Sequence, residues 1–413
     1  MGPAHQPGAF ALEVVETLIE AGHEAVWAGG CVRDLLMGRE PGDFDIATDA
    51  RPDQVREVFG RARSFAVGAS FGVVLVRDRD GREDPVEVAT FRTEGAYADG
   101  RHPDAVQFAT RQDDARRRDF TINGMFMDPR TGEVFDDVGG RQDIERGLVR
   151  AIGEPEARIN EDKLRMLRAI RFSASLGFAL DPATAEAIAA HSQEITVVSA
   201  ERIADEWRRM LSDTNRAVAV RLAIETGLLA SVFPEVPTDG YDAAVERLGH
   251  LPQSATATVA LAVLLVDVTD PGAMCERLKL SNRETDEVTW LVASRDGLDQ
   301  AADQKRSRLF PLLAHPSRDG LFELIDAIER GAAGSGDDVA WCRSLLETVG
   351  SEELDPPPLV TGEDLIAVGL RPGPLFKTLL GSVRDAQLDG DVRDRDEALA
   401  WVHEIRRENE PDE

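Results

Sequence analysis

The first third of the chain combines short apolar runs with stretches of helical period. Apolar side chains recur at helical spacing over residues 10–22, which predicts an amphipathic helix. Residues 52–60 predict a second helix. Two valine-rich runs, residues 72–77 and 86–91, are joined by an Asp-Gly turn and predict a β-hairpin. The pattern as a whole indicates about five strands with helices between them.

Helical patterns dominate from residue 151 onwards, and strand signals vanish. The predicted helices lie at residues 161–177, 182–190, 200–212, 215–226, 255–266, 284–297, 319–331, 338–349 and 394–407. Three consecutive prolines, Pro356–Pro358, interrupt this series before a last unit. We therefore expect an α+β protein whose head combines a mixed sheet with helices and whose remainder is all-α. The expected segments are a head at 1–140, a neck at 141–215, a body at 216–355 and a tail at 356–413.

A glycine pair follows the first strand-like run, at Gly29 and Gly30, and a helical pattern over residues 31–37 comes next. Two glycines let the backbone approach a bulky anion, because no Cβ intervenes. The following helix directs its N-terminus at the same place. Arg33, one turn inside that helix, offers a planar donor fork that matches phosphate. The pattern predicts a phosphate cradle.

Two carboxylates, Asp43 and Asp45, stand two residues apart on an extended segment. Side chains at that spacing point to the same side, so both can bind one hard cation. Mg²⁺ prefers one or two carboxylates together with substrate phosphate oxygens. A Gly-Gly pair alone is usually a turn, and an Asp-x-Asp pair alone is usually solvated. Their combination within 20 residues favours nucleotidyl transfer.

These motifs resemble a known family. Gly29-Gly30-x-x-Arg33-Asp34 followed by Asp43-x-Asp45 is similar to the first motif of the class II tRNA nucleotidyltransferase and bacterial poly(A) polymerase family, within the polymerase β superfamily. The resemblance implies a polymerase β-like head. Residues 116–123, Arg-Arg-Arg-Asp-Phe-Thr-Ile-Asn, resemble its second motif, and residues 136–140 resemble the third.

The second motif contributes four candidate side chains. Arg117 and Arg118 are adjacent donors that can hold a triphosphate or a sugar. Asp119 and Asn123 could hold these arginines or a ribose in place. A solvated basic patch is the ordinary explanation of three arginines in a row. The apolar segment that follows this run favours a site instead.

An amphipathic pattern over residues 160–172 places leucine and isoleucine on one helix face. Asp162, Arg165 and Arg168 lie off that face, and Arg171 lies near its edge. Glu161 and Arg165 are four residues apart and can pair. On the pattern alone, a solvated helix carrying ion pairs is an equally ordinary interpretation.

The sequence Glu161-Asp162-x-x-Arg165 resembles the fourth motif of the family, in which protein side chains replace a template. Cytosine and adenine each present an amino donor beside a ring-nitrogen acceptor, whereas uracil and guanine present the reverse. An Asp accepts from the amino group and an Arg donates to the ring nitrogen. A mismatched base leaves buried groups unpaired, at a cost of about 1–3 kcal/mol each. The resemblance adds Arg168 and Arg171 as nucleotide-binding positions.

Residues 199–206 resemble the fifth motif, where Ser199 begins a helix and Arg202 and Glu206 are four apart. We expect this segment to support the base-reading helix structurally. Some members of the family also carry a His-Asp metal hydrolase domain. Val266 stands where that centre would need a histidine, so no hydrolytic metal site is expected.

Composition changes the picture in one respect. The 413 residues contain 47 Lys+Arg against 76 Asp+Glu, a formal net charge of −29, which by itself disfavours RNA binding. Basic residues are concentrated at 116–118 and 158–171, and the acidic excess is consistent with a solubility adaptation.

No apolar run reaches the ~18–20 residues of a membrane helix, and no export signal is visible. Three separated cysteines fit a reducing cytoplasm.

A polar stretch without periodicity, residues 92–107, predicts a mobile loop. Gly95 and Gly100 supply flexible points, Asp99 and Arg101 supply charged contacts, and Tyr97 supplies a possible anchor. The resemblance implies that family members adding only C lack this loop. Its presence therefore implies that A is added.

The resemblance implies an enzyme that adds C and A to the tRNA 3′ end from CTP and ATP with Mg²⁺ and without a nucleic-acid template. Asp43 and Asp45 are the expected catalytic metal ligands, with Glu87 a weak candidate for a third. The expected nucleotide-binding residues are Gly29, Gly30, Arg33, Arg117, Arg118, Asp119, Asn123, Glu161, Asp162, Arg165, Arg168 and Arg171. The expected partners are tRNA, CTP and ATP, with no membrane, for a monomer or homodimer.

Two alternatives stay open at this point. An A-adding tRNA nucleotidyltransferase or a poly(A) polymerase shares the same motifs, although the acidic C-terminal residues disfavour the latter. A non-catalytic RNA-binding protein could retain the fold, but it would have no need for the metal ligands Asp43 and Asp45.

Overall fold

A computed structural model describes residues 8–66, 72–81, 83–94, 106–331 and 336–409. The chain forms two compact units, Met1–Pro234 and Glu235–Glu413. The first unit contains the strands and the second is helical, which confirms the expected α+β class. The four-segment division into head, neck, body and tail stays a prediction.

The strands of the first unit are short and lie mostly before residue 150. In chain order they are β1 Ala25–Ala28, β2 Asp45–Thr48, β3 Ser64–Ala66, β4 Val73–Val76, β5 Val86–Thr90, β6 Arg92–Glu94, β7 Val106–Phe108, β8 Phe126–Met127, β9 Val134–Phe135, β10 Leu148–Val149 and β11 Ala179–Leu180. A mixed sheet has the order β3-β4-β5-β2-β1-β8-β9. Only its β2–β5 pair is parallel. The expected hairpin is β4–β5, in which Val74 pairs with Val88.

The helices of the first unit surround the sheet and continue beyond it. They are α1 Ala9–Glu20, α2 Gly30–Leu36, α3 Pro52–Phe59, α4 Arg111–Arg117, α5 Gly140–Arg146, α6 Pro155–Glu161, α7 Arg165–Leu176, α8 Pro182–His191, α9 Ala200–Ser212, α10 Arg216–Glu225 and α11 Leu228–Val232. The apolar stripe of α1, including Val14 and Leu18, is buried against Ile46 and Val88 of the sheet. This burial fixes β2, which carries Asp45.

In the described residues of the second unit, every regular element is a helix. They are α12 Tyr241–His250, α13 Ala257–Leu264, α14 Pro271–Arg277, α15 Asn282–Ala293, α16 Arg306–Ala314, α17 Arg318–Gly331, α18 Asp337–Thr348, α19 Ser351–Leu354, α20 Gly362–Ala367, α21 Pro374–Asp389 and α22 Arg395–Asn409. Helix α13 packs against α15 and α17 through side chains such as Leu264, Leu291 and Leu324. A separate cluster around Leu379 and Val383 joins α21 to α22. No helix in the described ranges is long and apolar enough to cross a membrane.

Three expectations are wrong in detail. The helix expected over residues 161–177 is two helices, α6 and α7, and Asp162 between them is extended (φ −149°, ψ 107°). Its carboxylate accepts a bond from the backbone N–H of Leu164 at 3.0 Å, a local bond that competes with the helical one. Strands also persist beyond residue 150, because β11 pairs in parallel with β10.

The third correction concerns the expected loop over residues 92–107. Its ends are the strands β6 and β7, in which Arg92 pairs with Phe108. Strands of three residues are too short to show an alternating pattern. Residues 95–105 lie outside the described residues, and so do Gly95, Tyr97, Asp99, Gly100 and Arg101.

Candidate active site

The glycine turn lies directly after β1. Gly29 has φ 72° and ψ −122°, a region that side chains rarely adopt, and its N–H donates to the carbonyl of Met125 at 3.1 Å. A Cβ on Gly29 would lie 2.8 Å from Nη1 of Arg118. Two reasons therefore require glycine at this position: its backbone angles and the close approach of Arg118. Helix α2 begins at Gly30 but has seven residues, so its dipole is small and the arginines supply most of the positive charge.

Arg33 is buried and held rigidly at this turn. Its Nε donates to Asp34 at 2.8 Å and its Nη1 donates to Oδ1 of Asn123 at 2.7 Å. Asn123, in a 3₁₀ turn, in turn donates to Oδ1 of Asp119 at 3.3 Å. The guanidinium carbon lies 5.4 Å from the ring centre of Phe172. Such fixed donors need no reorganisation to receive an anion.

Asp45 is the first residue of β2, and Asp43 lies two residues before it, outside the strand. Neither carboxylate makes a hydrogen bond or ion pair with the residues that the structure describes. Burial raises the pKa of Asp45 to about 6, and the charges of Asp43 and Glu87 add to this rise against the opposing charge of Arg118. Two adjacent carboxylates without a positive partner fit a cation site.

The parallel pairing of β2 with β5 aligns Ile46 with Val88, which sets Glu87 beside Asp45 on the neighbouring strand. Within the described ranges, however, no three His, Cys, Asp or Glu side chains are grouped as metal ligands. The site thus offers a pair of carboxylates, and substrate oxygens would have to complete the coordination of a hard cation.

A carboxylate not expected from the motifs, Asp114, aligns two of the arginines. It is 1% exposed and accepts bonds from Nε of Arg117 at 2.7 Å and Nε of Arg118 at 3.2 Å. Burial raises the pKa of Asp114, but the charges of Arg118 and Arg117 outweigh it and hold the pKa below its usual value. The available signal in the sequence was its spacing, since Asp114 stands three and four residues before these arginines.

Asp119 holds Arg168 rather than presenting a free carboxylate. Arg168 donates to Oδ2 of Asp119 from Nε at 2.8 Å and from Nη2 at 2.6 Å. Burial raises the pKa of Asp119, but the Arg168 charge and these bonds keep it below its usual value. The second motif thereby fixes a residue of the fourth.

Asp162 and Arg165 lie together in the cavity, each with part of its bonding capacity occupied. Arg202 donates to both oxygens of Asp162, from Nη2 at 2.7 Å and from Nη1 at 3.3 Å. Nη1 of Arg165 donates to Glu161 at 2.5 Å and to the carbonyl of Arg158 at 2.9 Å. The expected Glu161–Arg165 pair is confirmed, so Glu161 positions Arg165.

The expected contact between Arg202 and Glu206 within α9 is not formed. Arg202 contacts Asp162, and Oε2 of the buried Glu206 accepts from Nε of Arg171 at 2.6 Å. Oε1 of Glu206 lies 3.8 Å from Nη1 of Arg168. Glu206 is 5% exposed, and the arginines of the neighbouring helix satisfy it better than a solvated neighbour could. The supporting role expected for this segment therefore operates between helices.

These side chains line one cavity of about 560 Å³, within the usual size range of ligand sites. Its walls contain every expected site residue except Glu161, which lies behind Arg165. Two lining residues were not expected, Phe172 and Arg209. The lining carries seven arginines against four aspartates, so the cavity is positive within an acidic protein. Such a site attracts polyphosphates.

The mixed sheet, the glycine turn lined by arginines and the carboxylate pair are the features of a nucleotidyltransferase of the polymerase β class. A family model described as Poly A polymerase head domain matches residues 25–150, and a second, Probable RNA and SrmB-binding site of polymerase A, matches residues 177–238. The chain belongs to the family of CCA-adding enzymes. Nucleotidyltransferases of this family generally need a divalent metal ion.

Individual relatives support this membership. The CCA-adding enzyme of Geobacillus sp. (strain WCH70) is 32% identical over 98% of this chain and 99% of its own length. That of Bacillus subtilis (strain 168) is 45% identical over 55% of each chain. A solved structure, the Bacillus stearothermophilus CCA-adding enzyme in complex with CTP, has 30% identity and a TM-score of 0.79 over 98% of this chain and 99% of that chain.

Proposed function

We propose that this chain adds C and A to the 3′ end of tRNA from CTP and ATP, with Mg²⁺ and without a nucleic-acid template. The observation that carries this proposal is the set of bonding positions left open on Asp162 and Arg165. Family membership supports the reaction, and the arginines and the carboxylate pair of the cavity support the assignment of phosphate and metal sites there. The roles of the individual residues below belong to the proposal.

The open positions follow from a count of bonds. A carboxylate offers about four acceptor positions. Arg202 occupies two on Asp162 and the N–H of Leu164 occupies a third, which leaves one acceptor on Oδ2 within the described structure. A guanidinium offers five N–H donors. Three of those on Arg165 are occupied, by Glu161 and by the carbonyls of Arg158 and Arg117, which leaves two donors.

One open acceptor beside open donors is complementary to the pairing edges of cytosine and adenine. Their amino group would donate to Asp162, and their ring nitrogen would accept from Arg165. Uracil and guanine would place a carbonyl against Asp162 and an N–H against Arg165, leaving both buried pairs mismatched. The same two side chains can thus admit both C and A and reject both U and G.

The other lining residues would bind the rest of the nucleotide. Gly29 and Gly30 allow close approach of the triphosphate, and Arg33, Arg117 and Arg118 neutralise its charge, including the charge that develops on the departing pyrophosphate. Asp43 and Asp45 would hold the metal. Mg²⁺, when bound, lowers the pKa of the primer 3′-OH and polarises the reacting phosphate.

Glu87 could add a third carboxylate from β5, since the strand register sets it beside Asp45. Asp119 and Glu206 would act through Arg168 and Arg171, and Asn123 would act through Arg33. The tail, residues 356–413, is proposed to bind tRNA. A cytoplasmic location and a monomeric or homodimeric state also belong to the proposal.

The switch from C to A is proposed to depend on the segment between β6 and β7. Deleting residues 95–102 should leave C incorporation and stop A incorporation. The measurement is product length on a tRNA lacking all three terminal nucleotides. Full-length product from this variant would show that the segment has no such role.

The decisive experiment incubates the protein with tRNAs lacking one, two or three terminal nucleotides, each NTP singly and together, and Mg²⁺. Addition of C, C and A, stopping at the mature end, is the expected result. Addition of A alone would identify an A-adding enzyme, and unlimited A would identify a poly(A) polymerase. Binding of tRNA without incorporation would identify a non-catalytic binder.

A further inference from the structure

Helix α9 carries three charged side chains on the side facing the cavity residues, at positions 202, 206 and 209, and of these Arg209 lines the cavity itself. These positions are four and three residues apart, so they lie along one helix face. Arg202 contacts Asp162, and Glu206 contacts Arg168 and Arg171. Arg209 follows on the same face and also lines the cavity. The functional motifs account for the first two residues and leave Arg209 unassigned.

Arg209 differs from the other arginines of the cavity in its partners. Each of the other six has a hydrogen-bonded acceptor on the protein: Arg33 with Asp34, Arg117 and Arg118 with Asp114, Arg165 with Glu161, Arg168 with Asp119, and Arg171 with Glu206. Arg209 makes no hydrogen bond or ion pair with any residue that the structure describes.

Arg209 also differs in exposure. The other six arginines are buried or partly buried, whereas Arg209 is exposed at the rim of the cavity. Its positive charge acts on Arg171. Burial chiefly lowers the pKa of Arg171, and the charges of Arg168 and Arg209 lower it further against that of Glu206. Glu206 offsets part of the positive charge at Arg171, whereas Arg209 itself has no carboxylate partner among the described residues.

We propose that Arg209 binds substrate by contacting a backbone phosphate of the primer RNA. The inference rests on the proposed function. The uncompensated charge, its exposure and its place on the cavity wall carry it. An anion arriving with the substrate would offset the repulsion between Arg209 and Arg171.

The position on α9 favours the primer over the incoming nucleotide. Seven residues separate Arg202 from Arg209, which is about 10 Å along the helix axis. Arg202 contacts the base-reading Asp162, so Arg209 lies away from the base, towards solvent. Stacked nucleotides rise by about 3.4 Å each, so a backbone phosphate within a few nucleotides of the primer end is within reach.

The experiment compares Arg209→Gln and Arg209→Glu with a matched control, Arg208→Gln. Arg208 is the preceding residue of the same helix, pairs with Asp205 at 2.7 Å and does not line the cavity. Steady-state extension is measured with a tRNA lacking its terminal nucleotide, varying tRNA and ATP separately. Equilibrium binding of the same tRNA is measured between low and moderate salt.

For Arg209→Gln we expect KM for tRNA to rise roughly three- to fivefold at low salt with kcat and the ATP KM unchanged, and Arg209→Glu to show a larger rise. The slope of log affinity against log salt should fall by about 0.7. A rise in the KM for ATP alone would mean that Arg209 contacts the triphosphate of ATP, and it would overturn the assignment to the primer. If neither KM nor the slope differs from the control, Arg209 contacts no substrate phosphate.

The two proposals fail separately. If the unmodified protein extends no tRNA, the proposed function is wrong, and the binding measurement still decides the role of Arg209. If the unmodified protein extends tRNA and Arg209→Glu matches Arg208→Gln in every measurement, the function stands and the inference about Arg209 is wrong.

Discussion

Asp162→Asn tests the proposed base-reading mechanism by replacing one carboxylate oxygen with an amide NH₂ group. The side chain keeps its shape, and an amide oxygen in the place of Oδ1 still accepts from the N–H of Leu164 and from Nη1 of Arg202 at 3.3 Å, although the 2.7 Å bond from Nη2 of Arg202 to Oδ2 is lost. The amide NH₂ is then left to face the nucleotide. A donor replaces the acceptor that the amino group of cytosine requires, while Arg165 and its partners are untouched.

The magnitude follows from the bond that is lost. A hydrogen bond to a charged group contributes about 1.5–3 kcal/mol, which corresponds to roughly a 10- to 150-fold loss of kcat/KM for CTP. UTP gains little, because its ring N–H still meets the donors of Arg165. The preference for CTP over UTP should therefore fall by about the same factor, mainly through the loss with CTP.

The assay is single-nucleotide incorporation on a tRNA lacking all three terminal nucleotides, with CTP and UTP in competition. Asp205→Asn is the matched control, because Asp205 is an exposed carboxylate of α9 that pairs with Arg208. Asp162→Ala supplies a second comparison. It loses the acceptor without gaining a donor and should use UTP less well than the Asn variant.

A CTP preference within threefold of that of the control, in a folded Asp162→Asn protein, would refute the reasoning. Asp162 would then be a structural partner of Arg202 that ends α6, and base selection would have to come from another part of the cavity.

Three further predictions concern the other parts of the site. Asp43→Ala or Asp45→Ala should abolish incorporation while tRNA affinity changes less than about twofold, because the charge lost belongs to the metal site; normal turnover would exclude these ligands. Asp114→Asn should raise the NTP KM roughly tenfold and lower the melting temperature at neutral pH. The pKa of Asp114 in the folded protein lies below its usual value, so the ionised carboxylate stabilises the fold above about pH 4, and this stabilisation is lost as the pH falls further. The difference in free energy of unfolding between Asp114→Asn and wild type should therefore be smaller at pH 3 than at neutral pH. Gly29→Ala should weaken NTP binding at least tenfold. The control Gly38→Ala, also at positive φ but with open space for its Cβ, should lower stability without changing NTP binding. Equal NTP binding in both variants would show that the turn does not need the close approach of Arg118.

Local patterns predicted most of the elements, and together with the family resemblance they selected side chains that line one cavity. The individual roles of those side chains stay predictions. Asp43 and Asp45 line the same cavity, as their spacing predicts, although only Asp45 lies in a strand, and their role as metal ligands stays a prediction. The i,i+4 relation of Glu161 to Arg165 also survived the break at Asp162. That break was missed because its cause, the bond from Leu164 to the Asp162 side chain, leaves the apolar period of α7 unchanged.

Local sequence patterns did not predict the contacts between helices. Arg202 and Glu206 have the spacing of an ion pair within one helix, yet each contacts α7 or the residues before it. Burial decides between these alternatives, and burial depends on which elements pack together. Asp114 and Arg209 were missed for related reasons, since their importance comes from the charges around them in space.

The fork of bonds around Arg168 has a mechanical consequence. Its guanidinium is held by Asp119 on one side and faces Glu206 of α9 on the other. A rotation of α7 that enlarged the pocket for adenine would have to carry both carboxylates with it or break the two hydrogen bonds from Arg168 to Oδ2 of Asp119. The side chains proposed to read the base would therefore not readjust alone, and a pocket that exchanges cytosine for adenine would have to displace together three segments that are distant in sequence. Weakening the contacts of Arg168 with Asp119 and Glu206 should make the change from C to A addition less precise before it slows either addition.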